Sequence, residues 1–307
     1  MSNQLPTDYQ AFIHKSRYAK YREGEGRESW SDTVTRFMDN IVKDLVDAKT
    51  KTQIEQAIVG TEVMPSMRSL MTAGPAADRD NTCMYNCSYL PVDDVKSFDE
   101  AMFILLCGTG VGFSVERQFV KQLPDIPTLF VSETNIMVKD SKEGWAKALR
   151  QLIALLYSGE IPTWDITKVR PAGAPLKTFG GRASGPTPLV ELFDFTIRTF
   201  KNASGRKLSS IECHDIMCKI GEVVVVGGVR RSAMISLSNL SDDRMRHAKS
   251  GAWWENDPQR ALANNSVSYT EKPDAISFMR EWTALVESGS GERGIFNREA
   301  SKKQWSP

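Results

Sequence analysis

Two stretches of this chain set glycine directly beside cationic side chains: PAGAPLKTFGGRASGP (171–186) and GEVVVVGGVRRSAMISL (221–237). Glycine lets a backbone come close to a ligand and present its N–H groups, and a neighbouring Lys or Arg supplies opposing charge, which together suit a phosphate. Two such loops predict a protein that handles nucleotides. Five cysteines accompany them: Cys83, Cys87, Cys107, Cys213 and Cys218. An odd, sparse set argues against a disulfide framework and leaves redox chemistry or metal binding open. Cys213 and Cys218 fall in a helical pattern, on different faces, and lack the tight spacing of a zinc site. No metal site is expected. Glu212, His214, Asp215 and Glu222 on the same helix read as solvated or capping charges. The GTGVG segment (108–112) departs from a dinucleotide fingerprint, because its third glycine comes one residue early and a strand follows. It reads as a tight turn, as does Asn264-Asn265-Ser266.

The elements that must position these residues alternate in type. WSDTVTRFMDNIVKDLVDAK (30–49) spaces Val34, Phe37, Ile41, Val42 and Leu45 as one amphipathic helix, with Ser31 or Asp32 as its cap. Residues 83–90 read as a strand, 94–106 as a helix with acidic residues at its start, and 140–157 as a second amphipathic helix. Helices are predicted over 187–200, 209–226 and 275–288, and strands over 232–240 and 265–269. Residues 123–136 read as mixed and proline-punctuated, and GSGERGIFN (289–297) as a loop. The alternation predicts an α/β fold with largely parallel pairing. One internal echo stands out: Asp94-Val95-Lys96 opens a helix that ends near Gly108, and Asp140-Ser141-Lys142 opens one that ends near Gly159.

With 307 residues, 41% hydrophobic and 25% charged, the chain has the make-up of a globular protein of one large or two small domains. A formal net charge of +1 gives no general pull toward nucleic acid or membrane. The opening MSNQLPTDYQ lacks a signal peptide's apolar core, and the longest apolar runs are too short to cross a bilayer, so a cytoplasmic location is expected.

Taken in order, several segments resemble the catalytic chain of ribonucleotide reductases, and most of all the monomeric, adenosylcobalamin-dependent (class II) branch. They are KSRYAKY, GRESWSDTVTRF, MPSMRSLMTAG, YNCSY, GTGVGFSVER, DSKEGWAKAL, VRPAGAPLKTFGGRASGPTPL, CHDIMCKIGEVVVVGGVRRSAMISLSNL, ANNSVSY and GERGIFNRE, spread over about residues 15–300. The resemblance implies the first half of a ten-stranded α/β barrel (61–307), preceded by an N-terminal helical region (1–60). It implies reduction of ribonucleoside triphosphates to deoxyribonucleotides for DNA synthesis, by a cobalamin-initiated thiyl-radical mechanism with a thioredoxin-like dithiol reductant. Cys87 is similar to one thiol of the redox pair. Ser66, Met67, Asn86, Cys87 and Gly173 are similar to substrate contacts.

The two glycine-cation stretches resemble the family's specificity loops. Lys177, Gly180, Gly181 and Arg182 would hold a dNTP effector. Gly227, Gly228, Val229, Arg230 and Arg231 would lie between effector and substrate base. Residues 120–168 resemble the insertion that stands in for a second subunit, making the Asp94 and Asp140 helices a pseudo-dimeric pair whose aspartates could accept from the effector sugar. The radical cysteine in its Asn-Pro-Cys-Gly-Glu type loop, the second redox thiol and a C-terminal cysteine pair have no match in this sequence. A complementary C-terminal half is therefore an expected partner, and the 307 residues alone are expected to be inactive. A non-catalytic nucleotide-binding fragment, or the catalytic subunit of a two-protein, oxygen-dependent ribonucleoside-diphosphate reductase, are the alternatives.

Overall fold

The computed structural model describes residues 5–22, 24–174, 182–226 and 233–305. They fall into two compact units, Met1–Asn86 and Cys87–Pro307.

The first unit is built from short helices around a small core of Trp30, Val34, Phe37, Met38, Ile58 and Leu70. It begins with α1 (Asp8–Ile13) and a two-stranded antiparallel ribbon, β1 (Tyr21–Arg22) and β2 (Gly26–Arg27). Helix α2 spans Trp30–Phe37 and is capped by Ser29, whose hydroxyl accepts from Asp32 N–H while the Asp32 carboxylate accepts from Ser29 N–H. Ser31 and Asp32 are therefore not the cap. The single helix expected over 30–49 is interrupted: a π-helical turn at Met38–Val42 runs into Lys43 at φ 44°, where an L-residue cannot continue a right-handed helix. The chain restarts as α3 (Ala48–Val59) under an Asp47 cap. Helices α4 (Met67–Thr72) and α5 (Pro75–Arg79) follow, and then a 3-10 turn at Asn81–Met84, so that the strand expected over 83–90 begins only at Cys87.

The second unit is a parallel sheet in the order β3-β4-β7-β8-β9, with β3 (Cys87–Pro91), β4 (Gly110–Ser114), β7 (Met234–Asn239), β8 (Ala263–Tyr269) and β9 (Gly294–Asn297). Helix α6 (Ser97–Leu106) crosses from β3 to β4. After the short α7 (Arg117–Val120), a second strand–helix–strand unit follows: β5 (Phe130–Met137), α8 (Lys142–Tyr157) and β6 (Glu160–Asp165), its strands again parallel. In both units a glycine at positive φ ends the helix and admits the next strand, Gly108 at 83° and Gly159 at 92°. The long helices α9 (Thr187–Asn202) and α10 (Ser210–Val226) then lead to β7. Short helices α11 (Asp243–Arg246) and α12 (Trp253–Asn256) precede β8, and α13 (Ala275–Ser288) and α14 (Arg298–Trp305) flank β9.

Strand residues Leu90, Val111, Phe113, Met234 and Ala263 meet residues of α6, α8, α9 and α10 in one large core. Helices α6 and α8 lie antiparallel: Arg150, midway along α8, donates to Asp99 near the start of α6 at 2.8 Å, and Lys142 at the start of α8 donates to the Cys107 sulfur just past the end of α6 at 3.0 Å. Parallel strands joined by helical crossovers bear out the α/β reading. The sheet has five strands and ends at β3 on one side and β9 on the other; it is not closed among the described residues. No described helix is long and apolar enough to cross a membrane.

Candidate active site on the open sheet face

Successive strand residues point to opposite faces, and register partners on parallel strands share a face. Cys87 is in register with Gly110, and the next row on that face is Tyr89, Gly112, Ile235 and Asn264. The alternate residues are the ones that face the helices, so this row looks away from the core. Cys87 is exposed while Cys83, Cys107, Cys213 and Cys218 are buried. Tyr89, Ile235 and Asn264 are exposed as well.

Glycine shapes the space beside the thiol. Gly110 and Gly112 lie in β4 rather than in the tight turn expected of GTGVG, and Asn264 to Ser266 lie in β8 rather than in a turn. A Cβ at Gly112 would meet Ile235 Cγ2 at 3.3 Å and the Ser88 carbonyl oxygen at 3.5 Å, so the position has little room for a side chain. Gly112 is therefore flanked closely by Ile235 and Tyr89, and the residue without a side chain beside the Cys87 thiol is Gly110. Burial raises the Tyr89 phenol pKa, against a hydrogen bond to Ser114 and the charge of Arg298, so it is a protonated donor at neutral pH. Above it, buried Glu116 accepts from Ser114 at 2.7 Å and from Arg298 at 2.9 Å.

The substrate residues expected before Cys87 sit in the first unit. Ser66 and Met67 are exposed at the start of α4, and Arg68 donates to the Asn86 side-chain oxygen at 2.8 Å. Gly173 is in the second unit at φ 86°, and a Cβ there would meet nothing within 4 Å. Its glycine answers to backbone conformation, not to close approach by another part of the chain.

Of the two glycine-cation stretches, the structure describes the flanks. Lys177, Gly180, Gly181, Gly227, Gly228, Val229, Arg230 and Arg231 lie outside the described residues. The flanks of the first are tied together: Gly173 N–H donates to Ala183 at 2.8 Å, Ala183 N–H to Ala174 at 2.8 Å, and Arg182 to the Gly173 carbonyl at 2.9 Å. The second rejoins the sheet at Ala233, whose carbonyl accepts from Val111 N–H at 2.9 Å. Ala233 thus bonds to the residue next to Gly110, the register partner of Cys87.

Asp94 and Asp140 stand ahead of their helices. The Asp94 carboxylate accepts from Lys96 N–H at 2.8 Å and is exposed, while Asp140 accepts from Arg170 at 2.7 Å. Ser97 and Lys142 are the first residues of α6 and α8, and Ser141 caps α8. The charge pair that joins these helices escaped the sequence reading. Asp99 is buried between them; burial raises its pKa, opposed by the Arg150 guanidinium. Its Oδ1 finds no hydrogen-bond partner among the described residues. A lone acid on the apolar side of a helix is the signal that could have revealed it.

The charges on α10 behave as structural groups. Burial would raise the Glu212 pKa, but hydrogen bonds from Arg206 and Ser209 outweigh it and hold the pKa at about 2. His214 is buried, its pKa lowered by burial to about 3, with Nδ1 3.0 Å from the Ser236 hydroxyl. No metal-binding cluster occurs among the described residues.

Residues 117–198 match a family model described as the insertion domain of B12-dependent ribonucleotide reductase. The adenosylcobalamin-dependent ribonucleoside-triphosphate reductase of Lactobacillus leichmannii is 28% identical, over 94% of this chain and 48% of its own length. Its namesake in Levilactobacillus brevis is 27% identical with the same coverage. The crystal structure of a B12-dependent (class II) ribonucleotide reductase shares the fold, with a TM-score of 0.72 and 22% identity over 84% of this chain and 45% of that one. The chain is similar to the B12-dependent ribonucleotide reductases, and it spans about half the length of the curated relatives it matches.

Proposed function

We propose that this chain is the front half of an adenosylcobalamin-dependent ribonucleoside-triphosphate reductase and supplies one of its two reducing thiols. The observation that carries the reading is Cys87: an exposed cysteine on the open face of a parallel sheet, in register with a glycine. Replacing a ribose 2′-hydroxyl by hydrogen releases water and takes two electrons and two protons from a pair of thiols, which become a disulfide. Cys87 is one member of the pair; its partner belongs to the remainder of the reductase. The absence of a side chain at Gly110 leaves space for a sugar beside the sulfur, with the Tyr89 hydroxyl and the Asn264 amide on the same face. Ser66, Met67, Asn86 and Gly173 complete the substrate contacts in this reading.

Adenosylcobalamin, named in the relatives, supplies a radical when bound. We assign it to the remainder of the reductase. Among the described residues, the strand residues of the face around Cys87 include a thiol, a phenol, an amide and glycines, a set suited to a ribose, and the Glu116 and Arg298 charges near Tyr89 are paired with each other.

The effector reading rests on the two glycine-cation stretches and the paired helices. A dNTP held by Lys177, Gly180, Gly181 and Arg182, with its sugar near Asp94 or Asp140, would bias the 227–231 segment. Ala233, two residues beyond that segment in sequence, bonds to Val111 next to Gly110, so a change in the segment would reach the substrate face. Residues 120–168 would act as the insertion that replaces a second subunit, and the insertion-domain match at 117–198 favours this over a two-protein reductase. A thioredoxin-like dithiol would restore the reduced pair.

The test supplies the rest of the reductase and adenosylcobalamin and measures conversion of a ribonucleoside triphosphate to its deoxy form. Cys87→Ser is expected to abolish turnover with dNTP binding intact. Turnover undiminished by Cys87→Ser would refute the assignment.

A further inference from the structure

Helix α4 carries Ser66 and Met67 at its start, and its six residues are too few to hold a helix in place unaided. Cations hold its far end. Arg36 Nη1 donates to the carbonyls of Leu70 at 2.9 Å and Ala73 at 3.0 Å, and Lys20 Nζ donates to the Ala73 carbonyl at 2.6 Å. Carbonyls at a helix end have no partner within the helix, and positive charge suits them. Arg36 is fixed in turn by buried Glu28, which accepts from its Nε at 2.9 Å and its Nη2 at 2.8 Å. This forked pairing sets the plane of the guanidinium as well as its place. Glu28 also accepts from the Thr33 hydroxyl and the Lys20 N–H, each at 3.1 Å. Glu28 and Arg36 belong to GRESWSDTVTRF and Lys20 to KSRYAKY, two stretches to which the proposed function gives no role.

The first turn of α4 reaches Asn86. Arg68 Nε donates to Asn86 Oδ1 at 2.8 Å. Arginine has donors only, so the amide atom that faces it is the oxygen, and the NH2 group is turned away from it. Asn86 is exposed and directly precedes Cys87 in sequence. An amide held in this sense meets a ligand as a donor.

We propose that Arg36 and Arg68 are positioning residues for the ribonucleotide. Arg36, backed by Glu28, sets the place of α4 and with it Ser66; Arg68 turns the Asn86 amide so that its NH2 group donates to an acceptor oxygen of the substrate. This rests on the proposed function, which makes Ser66 and Asn86 substrate contacts. Neither arginine touches the substrate; each acts through a group that does.

The experiment uses the whole reductase, this chain together with its remainder. It measures binding of a ribonucleoside triphosphate in a Cys87→Ser background, and KM and kcat with Cys87 in place. Arg68→Met is expected to weaken binding about tenfold and to raise KM in step, with kcat changed less than about threefold, as loss of a contact made equally in ground and transition states does. Asn86→Ala should match it, and the two together should lose no more than either alone, because they remove one contact. Arg68→Lys, still a pure donor, should recover most of the loss. A double variant about 100-fold weaker, the product of two independent effects, would overturn the role of Arg68. For Arg36, Glu28→Gln combined with Arg36→Met removes the pair without leaving a buried charge. Circular dichroism is expected to show a folded chain, with ribonucleotide binding about tenfold weaker and dNTP binding unchanged. If that variant fails to fold, Arg36→Lys decides: it keeps a charge beside Glu28 but lacks the fork that reaches the carboxylate and both carbonyls, so the same loss is expected. Unchanged ribonucleotide binding in the folded variant would overturn the role of Arg36. Normal binding in every variant with Cys87-dependent turnover intact removes only the positioning. The expected binding losses with Cys87 dispensable for turnover remove only the proposed function.

Discussion

Cys87 and Gly110 stand side by side in register on neighbouring parallel strands, so the thiol has a neighbour without a side chain. Everything proposed about substrate depends on that opening. Gly110→Val suits a strand by propensity but sets two methyl groups beside the sulfur. Turnover of the completed reductase is expected to fall by about 100-fold or more, since displacing a reacting group by about an ångström costs on that order. Thermal unfolding, measured alongside, separates a blocked site from a damaged sheet.

Thiol accessibility gives a direct check on the site. Under native conditions iodoacetamide is expected to modify Cys87 alone, with Cys83, Cys107, Cys213 and Cys218 reacting once denaturant is added. Cys87→Ser is expected to change stability by less than about 0.5 kcal/mol, as for exposed positions generally. Peptide mapping and calorimetry read the two outcomes.

The buried Asp99 makes Arg150 necessary. Arg150→Met leaves a carboxylate buried with its cation removed. We expect a cost of about 2 kcal/mol at pH 7, below the 3–5 kcal/mol of a fully buried pair because Arg150 is half-exposed. The folded-state pKa of Asp99 is already raised by burial. Its contribution to stability is therefore fully present below the unfolded pKa and is lost as pH rises through the folded value. The penalty of Arg150→Met should accordingly shrink toward pH 4, as Asp99 takes up a proton. Denaturant titrations at the two pH values test this, and Asp99→Asn should be close to neutral at pH 7.

Glu212 behaves in the opposite sense. Its pKa of about 2 lies below the ordinary 4.5, so its stabilisation is present above pH 4.5 and is lost as pH falls through 2. Glu212→Gln is expected to cost about 2 kcal/mol at pH 7 and almost nothing near pH 2. Urea midpoints across that range provide the measurement.

How far the sequence was legible followed how local each determinant is. Helix α13 formed over 275–288 as its periodicity predicts, and β7 and β8 lie within a few residues of their expected spans. Strand β5 lacks a strand's signature because most of its length is exposed, and β6 because it is short and holds a proline, which removes the alternation that marks a half-buried strand. β9 read as loop because four residues beside three glycines hold too little pattern. The break at Lys43 depends on how the following segment docks, which helical spacing over 30–49 does not encode. Glycine carried two meanings as well. GTGVG looked like a turn, and Gly108 is one, but Gly110 and Gly112 are strand positions whose function is visible only once β3 and β7 are laid beside them.

The antiparallel contact between α6 and α8 is made within a single polypeptide. Its formation is a first-order event, insensitive to dilution, and a truncated competitor cannot exchange into it as it could between separate subunits. Any signal relayed through that seam would keep the same midpoint at every enzyme concentration a cell can reach.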